Sequence, residues 1–188
     1  MDQVTTAAAS SALALPADAA PSGGAQDKPR QYLTFALAGE MFAVATLSVK
    51  EIIEYGQITT VPMMPAFIRG VINLRGAVVP VIDLGVRFHG NPTLISRRSC
   101  IVIIEVPGED ESAQVLGIVV DAVSEVLEIS PAEIEPPPAF GAKIRTDFIL
   151  GMGKVGGKFV ILLNVGKVLS VDEIAAIAGV KQHGEALA

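Results

Sequence analysis

The chain has 188 residues, 51% of them apolar, 18% charged and 5% aromatic, with no Trp. Fourteen Lys+Arg against twenty Asp+Glu leave a net charge of −6, which argues against a nucleic-acid binder because such affinity scales with the cations available to displace counterions. One cysteine excludes a disulfide framework and a thiolate metal site, and two histidines, His89 and His183, leave little for histidine-based catalysis or metal binding. The length suits one domain or two small ones. The apolar runs at 101–104, 118–120 and 159–163 are far shorter than the ~18–20 residues that span a bilayer. The stretch at 12–20 loosely resembles a signal peptide's apolar region but lacks a basic leader, the first cation being Lys28. A cytoplasmic location is expected, and the single cysteine agrees with it.

In chain order, residues 1–28 are Ala, Ser, Thr, Pro and Gly with little that packs, and are expected to form a disordered tail. Strands are expected at 32–37 and 41–45, joined by a turn at Gly39-Glu40, and then at 49–53. After Pro62 and Pro65 comes a single helical turn at 66–69, two strands at 71–74 and 77–82 joined across Arg75-Gly76, and a short helix at 84–88. The second half repeats this plan: a hairpin at 100–106 and 114–120 around an acidic tip, then strands at 123–127, 148–152 and 158–163. A helix is expected at 172–178 and a flexible tail at 179–188.

The repetition is an internal duplication. A shift of 81 places Phe67-Ile68 on Phe148-Ile149, Gly70 on Gly151, Gly76 on Gly157, Asp83 on Asn164 and Gly85 on Gly166; a shift of 74 places Val49 on Val123 and Glu51 on Glu125. Each unit of about 70 residues is marginal alone, so the two are expected to pack together. Short strands with tight turns favour closed barrels, which remove exposed edges. The expected class is all-β with short helices: two pseudo-duplicated barrels within residues 29–178.

The motifs carry little chemistry. Gly151-Met-Gly153-Lys-Val-Gly156 fits G-x-G-x-x-G, but a strand follows where a dinucleotide site needs a helix, so a glycine-rich turn is the better reading. Cys100, opening a strand of Ile and Val, reads as an inert core thiol. His89 falls in a loop and His183 in the tail, neither with a partner; the acidic tip at 109–111 simply solvates. Asp83 and Asn164 look like turn or cap residues. Arg75 stands out, because its duplicate Gly156 has lost the charge; a cation present in one half only is not a requirement of the repeated fold. Glu51, in an otherwise apolar strand, is its natural partner, either as a plain ion pair or as part of a protein-binding face.

Ala66-Phe-Ile-Arg-Gly-Val-Ile-Asn-Leu-Arg-Gly-Ala-Val-Val-Pro-Val-Ile-Asp-Leu84 closely resembles the signature of CheW, the bacterial chemotaxis coupling proteins, and Val49-Lys-Glu-Ile52, Gly117-Ile-Val-Val-Asp121 and Ile161-Leu-Leu-Asn164 resemble further CheW segments in the same order. A departure is Gly85, where the family commonly carries an arginine. The resemblance implies two SH3-like five-stranded barrels, a C-terminal helix, no catalysis and no cofactor. It implies an adaptor between methyl-accepting chemoreceptors and the histidine kinase CheA, with other CheW copies as possible neighbours in rings, or an adaptor of a different chemosensory-type pathway controlling surface motility or second-messenger output. Carried over by position, Val49, Glu51, Gly70 and Arg75 match family positions linked to receptor or kinase coupling, with Ile101, Gly117 and Val126 as weaker candidates in the second barrel.

Overall fold

The computed structural model describes residues 28–107, 112–137 and 144–168. The expected N-terminal tail up to residue 27, the acidic tip at 109–111, the helix at 172–178 and the tail from 179 lie outside the described residues. Eleven strands are described: β1 (Arg30–Leu37), β2 (Glu40–Ala45), β3 (Val49–Glu54), β4 (Ile68–Leu74), β5 (Ala77–Asp83), β6 (Cys100–Pro107), β7 (Ala113–Val120), β8 (Ala122–Ile129), β9 (Ile134–Glu135), β10 (Ile149–Val155) and β11 (Lys158–Leu163), with short helices α1 (Leu84–His89) and α2 (Val165–Val168). The class is mainly β, as expected. The helical turn expected at 66–69 is instead a bend at 66–67 closed by an Ile68 N–H bond to the Pro65 carbonyl at 3.0 Å, and Arg69 already belongs to β4. Strand pairing explains the difference: β4 is laddered to β5 from Ile68 opposite Ile82 onward, which takes Ile68 and Arg69 into the sheet.

The strands form two sheets, β3-β6-β7-β5-β4 and β8-β1-β2-β11-β10-β9. Sheet membership cuts across the two sequence halves. The β1–β2 hairpin, from the first half, joins β8 to β11, while the β6–β7 hairpin, from the second half, joins β3 to β5. Parallel ladders seal the exchange, β2 with β11 and β7 with β5. Each sheet then curls towards closure by the same device: Thr59, beyond β3, bridges Val71 of β4, and β9, beyond β8, pairs with β10.

Burial explains the exchange. Along β6, Ile101 and Ile103 fill the inside of the five-stranded sheet together with Val79, Val81 and Val119. Val102 and Ile104 point the other way, into a cluster with Leu33, Phe35, Phe42 and Val44 that lies between the sheets. Alternate residues face opposite sides of a strand, so the continuous Ile-Val-Ile-Ile run is a strand buried on both faces. A third cluster, Tyr32, Ala43, Ile129, Val160 and Leu162, fills the six-stranded sheet. The four strands of the two hairpins thus form the middle of the molecule.

The duplication is visible in hydrogen bonds. The ladder shifts between Ile68 and Gly70 and again between Ile149 and Gly151. Asp83 N–H donates to the Phe67 carbonyl at 2.7 Å, and Asn164 N–H to the Phe148 carbonyl at 2.8 Å. The Arg87 guanidinium carbon stands 4.7 Å from the ring centre of Phe67 and 5.1 Å from that of Phe148, between the two equivalent rings.

Candidate functional site

The β4–β5 hairpin turns at Arg75 and Gly76, both with positive φ (+51° and +86°), and its counterpart turns at Gly156 and Gly157 (+57° and +79°). Positive φ at both central residues is the turn that suits a twisted hairpin, and glycine adopts it without the Cβ clash of an L-residue. Asn73 steadies the first turn by accepting the Gly76 N–H at 2.9 Å. Arg75 therefore holds a backbone conformation in which it is disfavoured, at the place where the duplicate has glycine. Its guanidinium makes a two-pronged bond to Glu51, Nη1 to Oε1 at 2.9 Å and Nη2 to Oε2 at 3.1 Å. The Arg75 side chain is 78% exposed and that of Glu51 25%. The pairing expected from the sequence is thus a direct contact. The arrangement fixes a planar cation on the surface, with N–H groups left over that Glu51 does not use.

The other predicted residues divide by location. Val49 begins β3 and packs, half-buried, on the cluster between the sheets. Gly70 is buried at φ +149°, and a Cβ there would stand 2.2 Å from the Thr59 carbonyl oxygen, so its role in the fold is to let the arm beyond β3 close the sheet. Ile101 is 1% exposed, and a Cβ on Gly117 would stand 2.8 Å from its Cγ2. These two face the interior of the five-stranded sheet, next to β3 and β5, and not the second barrel that their order in the chain suggests; the hairpin exchange is the reason. Val126, on β8 of the six-stranded sheet, is 52% exposed. The structure brings Glu51 and Arg75 together, and Ile101 and Gly117 together. Val126 stands on the opposite sheet.

A second cluster is not apparent from the sequence motifs. Asp83 is 1% exposed and caps α1, accepting the N–H groups of Gly85 and Val86 at 2.9 and 3.3 Å. It also accepts the Thr93 hydroxyl at 2.6 Å, the Thr93 N–H at 3.0 Å and the Arg69 Nε–H at 2.9 Å. Arg69 completes the network by donating to the Tyr55 hydroxyl at 2.7 Å and the Thr93 carbonyl at 2.6 Å. Burial pushes the Asp83 carboxyl up, but the bonds from Thr93 and Arg69 and the Arg69 charge outweigh it and hold the group below the usual carboxylate range. For Arg69, burial alone would lower the pKa, and the bonds to Tyr55 and Asp83 raise it instead. A shift of 81 places Leu150 on Arg69 and Asn164 on Asp83, so both charges of this pair vanish together in the other half.

The remaining motifs have ordinary structural roles. The glycine run at 151–157 is strand β10 plus a hairpin turn, with no helix after it. Cys100 is half-buried and its thiol donates to the Arg98 carbonyl at 3.4 Å. His89 is not in a loop but ends α1, half-buried. Gly85 is buried, with the Asn91 carbonyl oxygen 2.7 Å from where a Cβ would stand. Among the described residues no group of three or more His, Cys, Asp or Glu could hold a metal ion, and no helix is long and apolar enough to cross a membrane.

Residues 31–173 match the family model described as CheW-like domain. The chain is 36% identical over 155 residues to Chemotaxis protein CheW of Klebsiella aerogenes, covering 82% of this chain and 90% of that one. It is 31% identical over 157 residues to Protein FrzA of Myxococcus xanthus, covering 82% and 94%. The crystal structure of the scaffolding protein TtCheW from Thermoanaerobacter tengcongensis superposes with a TM-score of 0.68 at 37% identity, over 77% of this chain and 90% of that one.

Proposed function

Because the chain belongs to the CheW-like domain family, we propose that it is a non-catalytic cytoplasmic adaptor that couples methyl-accepting chemoreceptors to the histidine kinase CheA. The observation that carries the reading is the Glu51–Arg75 pair. It sits exposed on one half only, on a turn where the duplicate uses glycine. A repeated fold that closes without this cation in one half has no structural need for it in the other, and arginine held in a fixed orientation is favoured at protein interfaces.

Exposed apolar residues recur at equivalent positions and support pseudo-equivalent contact faces. Ile52 and Val126 are 43% and 52% exposed, one shift of 74 apart; Val78 and Phe159 are 51% and 50% exposed, one shift of 81 apart. Two similar faces on one molecule are what a linker in an alternating ring needs, since each barrel then meets a different neighbour. Val126 belongs to this surface, and Val49, Gly70, Ile101 and Gly117 support it from within. Signal passes only where contacts differ in free energy between kinase-on and kinase-off states.

The test is a pull-down of the purified chain against the CheA regulatory domain and the receptor signalling tips, with wild type beside Arg75→Ala and Glu51→Ala. Binding weakened by either substitution supports both role and site. Binding untouched by both keeps the role and removes the site. A folded chain that binds neither partner favours an adaptor of another chemosensory-type kinase pathway.

A further inference from the structure

The hairpin exchange is reciprocal, each half lending two strands to the sheet of the other, so the halves are related by a pseudo-two-fold axis. A residue touches its own equivalent only where it lies at such an axis. A shift of 81 places Arg87 on Val168, and the Arg87 Nε–H donates to the Val168 carbonyl at 3.2 Å. The same guanidinium meets the equivalent rings of Phe67, at the entry to β4, and Phe148, at the entry to β10. Each phenylalanine is tied to its own sheet, Phe67 through the Asp83 N–H that ends β5 and Phe148 through the Asn164 N–H just past β11. An axis has room for one long side chain and not for two copies of it. The first half places arginine there, and the second half valine, 3% exposed and part of the cluster between the sheets.

We propose that Arg87 is a positioning residue that sets the angle between the two barrels, its guanidinium clasped by one phenylalanine from each. The apolar cluster between the sheets holds the barrels together, but burial of apolar surface is non-directional. Phe88, next in α1, belongs to that apolar part, with ring centres 5.6 Å from Phe42 and 6.0 Å from Phe148. Arg87 supplies what the cluster lacks: a planar cation stacked on two rings and hydrogen-bonded across the seam has a preferred orientation and resists rotation. Asp83 holds the helix that carries it, by capping α1 from the end of β5. In an adaptor with a contact face on each barrel, this angle decides whether both faces meet their neighbours at once. That consequence rests on the adaptor reading; the geometry does not.

The test measures residual dipolar couplings of the backbone amides in the full isotope-labelled chain. Wild type is run beside Arg87→Met, which keeps an unbranched stem and loses charge, plane and donor, and Arg87→Lys, which keeps the charge. Wild-type couplings from the two sheets are expected to fit one alignment tensor. In Arg87→Met each sheet still fits by itself, but the two tensors differ in orientation or magnitude, and Arg87→Lys falls between. One shared tensor in Arg87→Met overturns the proposal, as do wild-type couplings that already need two, or Arg87→Met couplings that fail to fit within a single sheet. A second measurement needs no variant and decides the matter should Arg87→Met not fold. In wild type the Arg87 Nε–H is expected to show cross-relaxation to the ring protons of both Phe67 and Phe148, and contact with one ring alone overturns the proposal. Neither readout involves a partner, so failure here leaves the adaptor reading standing, and a failed pull-down leaves the role of Arg87 standing.

Discussion

The two halves of this molecule share a backbone and differ in charge. Both shift register after the same isoleucine, both turn through two positive-φ residues, and both close the following strand onto the same phenylalanine carbonyl. Yet the first half carries the Arg69–Asp83 and Arg75–Glu51 pairs, where the second has Leu150, Asn164 and Gly156, with Glu125 in the place of Glu51. The shared features are therefore what the fold requires, and the unshared ones are additions with other work. Buried Asp83 organises α1 and the segment around Thr93; exposed Arg75 organises nothing but its own partner.

Breaking a shared feature has the largest effect. Gly70→Ala places a methyl group against the Thr59 carbonyl oxygen and strains a positive φ, at a cost of about 3 kcal/mol or more. Gly151→Ala meets Ile134 Cγ2 at 2.6 Å and the Glu135 carbonyl oxygen at 2.9 Å without that positive φ, and is expected to cost less. Urea unfolding of the two variants ranks them; the reverse order contradicts the assignment of Gly70 to closure.

Turning the first half into the second at the buried pair comes next. Asp83→Asn keeps an acceptor for the helix cap but leaves Arg69 without a counter-charge. With the Tyr55 and Thr93 bonds to Arg69 retained, about 2–3 kcal/mol is lost. The same pair has a pH signature. Because the folded carboxyl titrates below its unfolded value, its contribution is complete above the ordinary carboxylate pKa and is lost as pH falls through the folded one. Acid titration of stability is therefore expected to be shallower in Asp83→Asn than in wild type; parallel curves would place the acid-sensitive group elsewhere.

Much of this is legible in the sequence. Glycines and strand residues recurring at shifts of 81 and 74 locate the repeat, its turns and the charge of Arg75 that lacks a twin. Two things are not. The hairpin exchange depends on which strands pair, and the Ile-Val-Ile-Ile run of β6 reports burial on both faces without saying against what. That is why Ile101 and Gly117, plainly strand residues in the sequence, belong to the other barrel from the one their chain order implies. The Arg69 pair is hidden because Arg69 follows two prolines in a stretch that reads as a helical turn. Its signal is nonetheless present: Arg69 and Asp83 lose their charges together in the duplicate, as partners do.

The smallest effect on stability decides the central claim. Arg75→Gly copies the second half, relieving a disfavoured φ while giving up an exposed ion pair, two terms of about 1 kcal/mol each with opposite sign. Measuring the affinity of Arg75→Gly and wild type for the CheA regulatory domain and the receptor tip, alongside their unfolding free energies, tests whether Arg75 serves a partner. Stability is expected to stay unchanged within about 1 kcal/mol and affinity for at least one partner to fall about tenfold. A variant destabilised by several kcal/mol, or one that binds both partners as wild type does, would contradict this expectation.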